Sequence, residues 1–333
     1  MSMRRTKPIP IVTLPFLLLF LLVFLVFGFE TSLGQQKAFQ IGILQFASHP
    51  ALDQSREGFI DFLAQSGLKD GERIKLDIQN AQRDMGVART IAKKFVTDNK
   101  DLIYAIATPA AQAAAKETST IPLVFCDVTD PVKAGLVKTL ESSGNNVTGV
   151  SDLIPVKTQI ELLLKIEPGI KRLGIVYNPG EDNARVLVEI TRGAARELKL
   201  SLIESPVTNS GEVYGATQTL VGRVDGIYAI QDNTVISALE SIIKVANNNR
   251  IPLLVPGVPS VERGGLATVG TSFYALGRIA GQCALRIIKG VKPSEIPVAF
   301  AKEFEIYLNQ KSADEIGLRF SEELLKRAKK VYK

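Results

Sequence analysis

The chain has 333 residues, 46% of them hydrophobic and 22% charged, with a formal net charge of +6. This is ordinary globular composition, long enough for two domains, and the charge is spread without the basic block that nucleic-acid binding needs. One histidine, His49, and two cysteines, Cys126 and Cys283, exclude a His-rich metal cluster and leave a single base for any histidine-based triad.

Residues 1–34 stand apart. Arg4, Arg5 and Lys7 precede an almost wholly apolar run over 11–29, and Ser32-Leu33-Gly34 supplies the small residues a signal peptidase prefers. The pattern predicts a secretory signal. The run is also as long as a membrane span, so an uncleaved anchor is the alternative. Either way the rest is exported, to the periplasm or cell exterior, and without a cysteine at the junction no lipid anchor is expected. Cys126 and Cys283 are expected to be two buried thiols.

Residues 39–45 (FQIGILQ) predict the first strand, with 46–50 as a loop at its carboxyl end. Leu52, Phe59, Ile60, Phe62 and Leu63 mark a helix that Gly67 ends. Ile74, Leu76 and Ile78 alternate as a second strand, and 85–97 is the next helix. The central stretch follows at 101–131. There, 102–106 is a buried strand, Thr108 an N-cap, Pro109 the first helical position, 110–116 an Ala-rich helix and 121–125 a second buried strand. The free amides at that helix start suit a carboxylate or phosphate, although a capped helix with nothing bound fits equally well. Residues 132–140 predict a short helix and 147–150 a strand.

After a pause at 151–155 the alternation restarts. Helix 156–166, strand 172–177, a helix to 198, strand 200–206, helix 212–221, strand 226–230, a helix to 249 and strand 251–255 repeat the logic of the first half. The fold class expected is α/β: two doubly wound, parallel-sheet lobes joined by hinge strands, with a cleft between them. The tail reads as strand 266–269, a long helix 273–289, an extended stretch 296–308 and an amphipathic helix 312–330. It is expected to cross between lobes, giving a first lobe of 36–152 plus about 258–295 and a second of 153–257 plus about 296–333.

The segments IGILQFASHPALDQSREGF, ATPAAQAA, FCDVTDPVKAGLV, NNVTGVSD, GIVYNPGEDNA, GIYAIQDNTVISALESIIKVANNNRIPLL and YALGRIAGQCALRIIKG carry a family likeness from Ile41 to the C-terminus. Together they resemble the tryptophan/tyrosine-type ABC transporter substrate-binding proteins. The resemblance implies a type I periplasmic-binding-protein fold, three hinge crossings and a small organic ligand, such as an aromatic or other amino acid, held by closure of the lobes. It also implies an ABC permease partner in the inner membrane, a monomer, no catalysis, no cofactor and no metal. One departure stands out. Relatives commonly carry an acid in a Gly-Asp-type turn after IPLLV, whereas here Pro256-Gly257-Val258-Pro259-Ser260 has no carboxylate before Glu262. An amino group on the ligand must find its acid elsewhere, or the ligand is not an amino acid.

An amino acid needs acceptors for its ammonium, donors for its carboxylate and an apolar wall. The expected ligand-binding residues are Phe46, Ser48, Thr108, Ala110, Ala111, Thr129, Asp130, Asn178, Glu181, Asn183, Asp232, Asn233 and Tyr274. Asp232 or Asp130 could take the ammonium, Thr108 with the amides of Ala110 and Ala111 the carboxylate, and Phe46, Tyr177, Phe273 or Tyr274 the apolar part. Plainer roles compete. Asp232 and Asn233 suit helix caps, Asp130 a turn before Pro131, Asn178-Pro179-Gly180 a turn, and Phe46 and Tyr274 packing. The leading expectation is a solute receptor of an ABC importer. The alternative is a membrane-tethered sensory domain of the same fold. An exported hydrolase lacks support, since no Gly-x-Ser-x-Gly is present.

Overall fold

The computed structural model describes residues 38–333. The signal or anchor expected over 1–34 lies outside the described residues. In the first sheet, β1 (Phe39–Gln45), β2 (Ile74–Asn80), β3 (Leu102–Ile106), β4 (Leu123–Val128), β5 (Val147–Ser151) and β11 (Ala299–Phe300) run parallel in the order β11-β5-β4-β3-β1-β2. The second holds β6 (Arg172–Tyr177), β7 (Ser201–Pro206), β8 (Gly226–Tyr228), β9 (Leu253–Leu254), β10 (Ala267–Gly270), β12 (Glu305–Asn309) and β13 (Lys330–Tyr332). Its order is β13-β12-β10-β9-β8-β6-β7, parallel except where β12 meets β10. In both sheets the lobe's second strand lies at the edge beside its first, and its third lies on the first's other side. This is the doubly wound pattern, with chain reversal beside β1 and β6, and ligands in such sheets sit outside the carboxyl ends of the strands.

Helices α1 (Pro50–Gln65), α2 (Met85–Thr97), α3 (Thr108–Glu117) and α10 (Phe273–Ile288) cover the first sheet. Helices α4 (Val156–Ile166), α5 (Asp182–Glu197), α6 (Val213–Gln218), α7 (Asn233–Ile236), α8 (Leu239–Asn248), α9 (Val258–Glu262), α11 (Gln310–Ile316) and α12 (Glu322–Arg327) accompany the second. Because both faces are covered, β3 and β4 are apolar almost throughout and buried along their length. Each lobe has its own core: Ile41, Phe59, Phe95, Tyr104 and Phe125 pack in the first, and Ile160, Leu173 and Tyr228 in the second, beyond which Val176 and Ile242 pack on its other face. The two cysteines are free and buried, as expected.

The chain passes between sheets three times, after β5, after β10 and after β11. The return expected near 258 comes instead at 271–272, and the last crossing expected near 296 comes at 301–304. The cause is local: 258–262 coil into α9, whose Val261 enters the second core, and β10 then pairs beside β9. Three further expectations change. Residues 132–140 make a turn rather than a helix, because Gly135 takes a φ of +72° just after Ala134 N–H reaches the Asp130 carbonyl. The tail helix is broken at Gly317, φ +78°, and the last residues join the sheet as β13. Ala107, at φ +85°, occupies the N-cap of α3, so Thr108 begins that helix instead of capping it.

Helix α10 is tied to α1 by contact between backbones. Cβ atoms added at Gly58 or Gly277 would run into the Tyr274 and Ser55 carbonyls. The Ser55 hydroxyl donates to the Phe273 carbonyl at 3.2 Å, and the Tyr104 hydroxyl to the Ser55 carbonyl at 3.2 Å. This docking fixes the start of α10 at the cleft.

Candidate ligand-binding site

At the carboxyl end of β4 the pairing with β5 shifts between Phe125 and Val128. Residues 126–127 bulge, and Asp127 takes a φ of +58°. A bulge re-aims a side chain, and aspartate tolerates this left-handed conformation better than most residues. Its carboxyl is buried. Oδ1 accepts from the Cys126 thiol at 3.3 Å, while Oδ2 has no partner. Asp152 follows β5 on the first crossing. It accepts from the Thr129 hydroxyl at 3.3 Å and from the side-chain amide of Gln231, which comes from the second lobe. Burial pushes the Asp152 carboxyl up to about 6. Burial, with the neighbouring Asp152 charge, pushes Asp127 well above the usual carboxylate range.

The second lobe faces them with two oriented amides. Asn183, in the first turn of α5, donates Nδ2 to the Gln231 carbonyl at 3.0 Å, and its Oδ1 has no partner. Gln231 donates Nε2 to Asp152, and its Oε1 has no partner. Each NH2 is committed to an acceptor, so each unpaired atom is an oxygen with acceptor capacity. Asp232 caps α7: Oδ1 accepts from Val235 N–H at 2.9 Å and Oδ2 from Asn178 N–H at 2.6 Å. Glu181 accepts from the backbone and side chains of both Asn233 and Thr234.

Asp127, Asp152, Asn183, Gln231 and Asp232 border a narrow cavity between the lobes, walled on its apolar side by Leu52, Ile236, Pro256 and Phe273. His49, at the N-terminus of α1, also lines it. Burial lowers the His49 pKa to about 4, so the ring is neutral, and its Nδ1 has no partner. Among the described residues five buried side-chain polar atoms lack a partner, and four of them belong to residues around this cavity: His49, Asp127, Asn183 and Gln231. Buried polar groups are nearly always paired, so this concentration needs a cause. Among the described residues no lysine or arginine borders the cavity.

Of the residues expected from sequence, Thr129, Asn183, Asp232 and Asn233 border this cavity. Phe46, Asn178 and Glu181 border a separate, wider groove between the lobes, beside Arg83 and Thr208. Ser48 is exposed, one position before the residue that lines the cavity. Thr108, Ala110 and Ala111 are buried at the start of α3 and do not line it, although the Thr108 hydroxyl is the fifth unpaired atom. Asp130 is spent on its turn, accepting from Val132 N–H at 3.1 Å and Lys133 N–H at 2.9 Å. Tyr274 points away and donates to Asp61 at 2.8 Å, because the helical pitch carries it about 100° round from Phe273. The polar residues not foreseen as ligand-binding are Asp127, His49, Asp152, Gln231 and Ser260. The signal for the first was an acid ending the apolar run LVFC, where a buried strand meets the cleft. Since Asp232 holds two buried backbone amides, Asp232→Ala is expected to cost about 2 kcal/mol or more, read as a lower urea midpoint.

The ABC transporter substrate binding protein family model matches residues 40–332. The chain belongs to the ABC transporter substrate-binding protein family. It is 41% identical over 310 residues to a tyrosine-binding protein of Clostridioides difficile, covering 90% of this chain and 89% of that one. Among solved structures, it resembles an ABC domain from Streptococcus pneumoniae in complex with L-Trp, at 35% identity and TM-score 0.86, covering 89% of this chain and 100% of that one. It also resembles the ligand-free, open structure of a substrate-binding protein with adhesive properties from Clostridium difficile, at 40% identity and TM-score 0.68, over 89% and 99% of the two chains. The type I periplasmic-binding-protein architecture extends to solute-binding proteins of about 15% identity, where the fold alone is shared. Substrate-binding proteins of this family act outside the cytoplasm and are not enzymes.

Proposed function

We propose that the protein is the receptor of an ABC importer that captures a small ligand bearing an amino group, an aromatic amino acid or a close analogue, by closing its lobes on it. The observation that carries this reading is the set of unpaired buried atoms around one interlobe cavity, contributed from both sides. A binding site optimised for a ligand leaves such atoms open when the ligand is not counted. The names of the tyrosine-binding and L-Trp-bound relatives favour an aromatic amino acid, and Phe273, Leu52 and Ile236 offer the apolar wall. Ser260 offers a hydroxyl for the carboxylate end.

Contacts between the lobes support reading the arrangement as a closed form. Gln112 on α3 donates to Asp182 on α5 at 2.6 Å, Lys133 pairs with Glu189 at 3.0 Å, and Gln231 reaches Asp152. The higher TM-score to the L-Trp complex than to the open relative agrees. Only a closed form touches ligand from both lobes, so ligand shifts the population toward it. The permease then reads the closed state, and the signal-like or anchor-like sequence of residues 1–34 supports a position outside the cytoplasm.

The chain contains no tryptophan, so the emission of added L-tryptophan is free of protein background and reports binding directly. Titration with L-tryptophan, and calorimetry with L-tyrosine, are expected to show one site per chain. Small-angle scattering is expected to give a smaller radius of gyration with saturating ligand than without. Binding with an unchanged scattering profile would remove closure from the reading.

A further inference from the structure

We propose that Asp127 is the residue that selects an ammonium group on the ligand, with Asn183 and Gln231 as its companion acceptors. This rests on the cavity being the ligand site. Asp127 is held where its type is costly: 4% exposed, in a left-handed conformation, on a strand bulge, with one oxygen unpaired. No cation offsets it: among the described residues no lysine or arginine borders the cavity, and the neighbouring charge of Asp152 is of the same sign. A structural role would use both oxygens, as Asp232 does with its two backbone amides.

The companions narrow the class of cation. Asp127 Oδ2, Asn183 Oδ1 and Gln231 Oε1 are three unpaired acceptors, and a primary ammonium presents three N–H donors. A metal ion fits less well, because no group of three or more metal-binding side chains occurs among the described residues and the oxygens of Asp152 already accept from Thr129 and Gln231. Asp152 acts through Gln231, turning that amide so that its oxygen faces the cavity. The selection is split between lobes: the charge comes from the first, and two oriented carbonyls from the second complete it on closure. The acid missing from the turn after IPLLV is thereby replaced from the opposite lobe.

The test compares wild type with Asp127→Asn, an isosteric change that keeps the oxygen beside Cys126. Three probes are titrated by calorimetry: L-tyrosine, tyramine, and 3-(4-hydroxyphenyl)propionate, which lacks the amine. The melting temperature of each ligand-free protein is recorded beside them. Asp127→Asn is expected to weaken L-tyrosine and tyramine about 100-fold, as loss of a buried charge pair does, and to leave the ligand-free melting temperature unchanged or higher. The deaminated acid is expected to bind wild type at least about 100-fold more weakly than L-tyrosine. Equal binding of deaminated acid and amino acid, or full affinity in the variant, overturns ammonium selection while leaving the receptor reading intact. If wild type binds none of the three, the aromatic reading fails instead, and the melting comparison decides for Asp127: a fall of more than about 4 °C marks a structural carboxylate and overturns the inference.

Discussion

Replacing Gly277 with alanine is expected to destabilise the protein by about 3 kcal/mol or more, since overpacking that drives atoms into backbone cannot be relieved by a rotamer change. Gly277 lies on the face of α10 that touches α1, and an added Cβ would overlap the Ser55 carbonyl oxygen and lie 2.9 Å from the Ser55 Cα. Neither atom can swing aside, so the helices must separate. The separation would break the Ser55 hydrogen bond to the Phe273 carbonyl and shift Phe273, which walls the cavity. Binding should therefore weaken in whatever protein remains folded. Gly193 on α5 is the control: nothing lies within 4 Å of its added Cβ. There alanine should be neutral or stabilising by up to about 1 kcal/mol, because helix propensity favours it. Urea melts of the two variants decide the matter. Equal midpoints would mean that α1 and α10 are not packed backbone to backbone.

Affinity for an ammonium ligand is expected to fall about tenfold for each pH unit below 6, for each proton that binding must displace. The direction follows from the site. Burial raises Asp152 to about 6, and burial with the Asp152 charge also raises Asp127 well above the usual carboxylate range, so the empty cavity holds protons that an ammonium group would expel. Lowering the pH strengthens the competitor. The other titratable groups around or behind the cavity are His49, Asp232 and Glu181. His49 stays neutral until about pH 4; Asp232, engaged by Asn178 and Val235, is also raised by burial and by the Glu181 charge, while Glu181 is engaged by Asn233 and Thr234. Calorimetry at pH 5, 6 and 7 in buffers of different ionisation enthalpy should show proton release on binding. An affinity that is flat over that range, or tighter at pH 5, would sink the idea.

Melting curves are a poorer reporter of the same site. The raised Asp152 contributes stability that is present below its unfolded pKa and lost as pH rises toward 6. The lowered His49 contributes stability that is present above its unfolded value, 6.5, and lost as pH falls through 4. Between these values the His49 trend opposes that of Asp152, at about 1.4 kcal/mol per unit each, and the raised carboxyls of Asp127 and Asp232 add to the Asp152 side, so the unfolding free energy mixes several groups. Binding responds to the carboxyls alone over most of that window.

The sequence by itself determined the lobes' alternating strands and helices. Periodicity and end signals are local properties, and they located α2 at 85–97, β3 at 102–106, α4 at 156–166 and β6 at 172–177 as the structure has them. The family likeness, carried by segments such as FCDVTDPVKAGLV and GIVYNPGEDNA, rested on the residues alone. Local reasoning also held for Asp130 and for the capping role of Asp232, whose partners lie close in sequence or at the next strand's end. What only the tertiary structure decided is which loop tips meet. Asp127 looked like the end of a buried strand until its bulge turned it into the cleft, and Asp152 looked like linker until the crossing brought it to Gln231 from the other lobe. Phe273 and Tyr274 were equivalent as letters, and only the docking of α10 on α1 chose between them. The crossings moved for the same reason: whether 258–270 belongs to one sheet or the other depends on pairing between strands far apart in the chain, such as β10 with β12. Windows of sequence carry propensity, whereas the meeting of two lobes is set by long-range packing that no window contains.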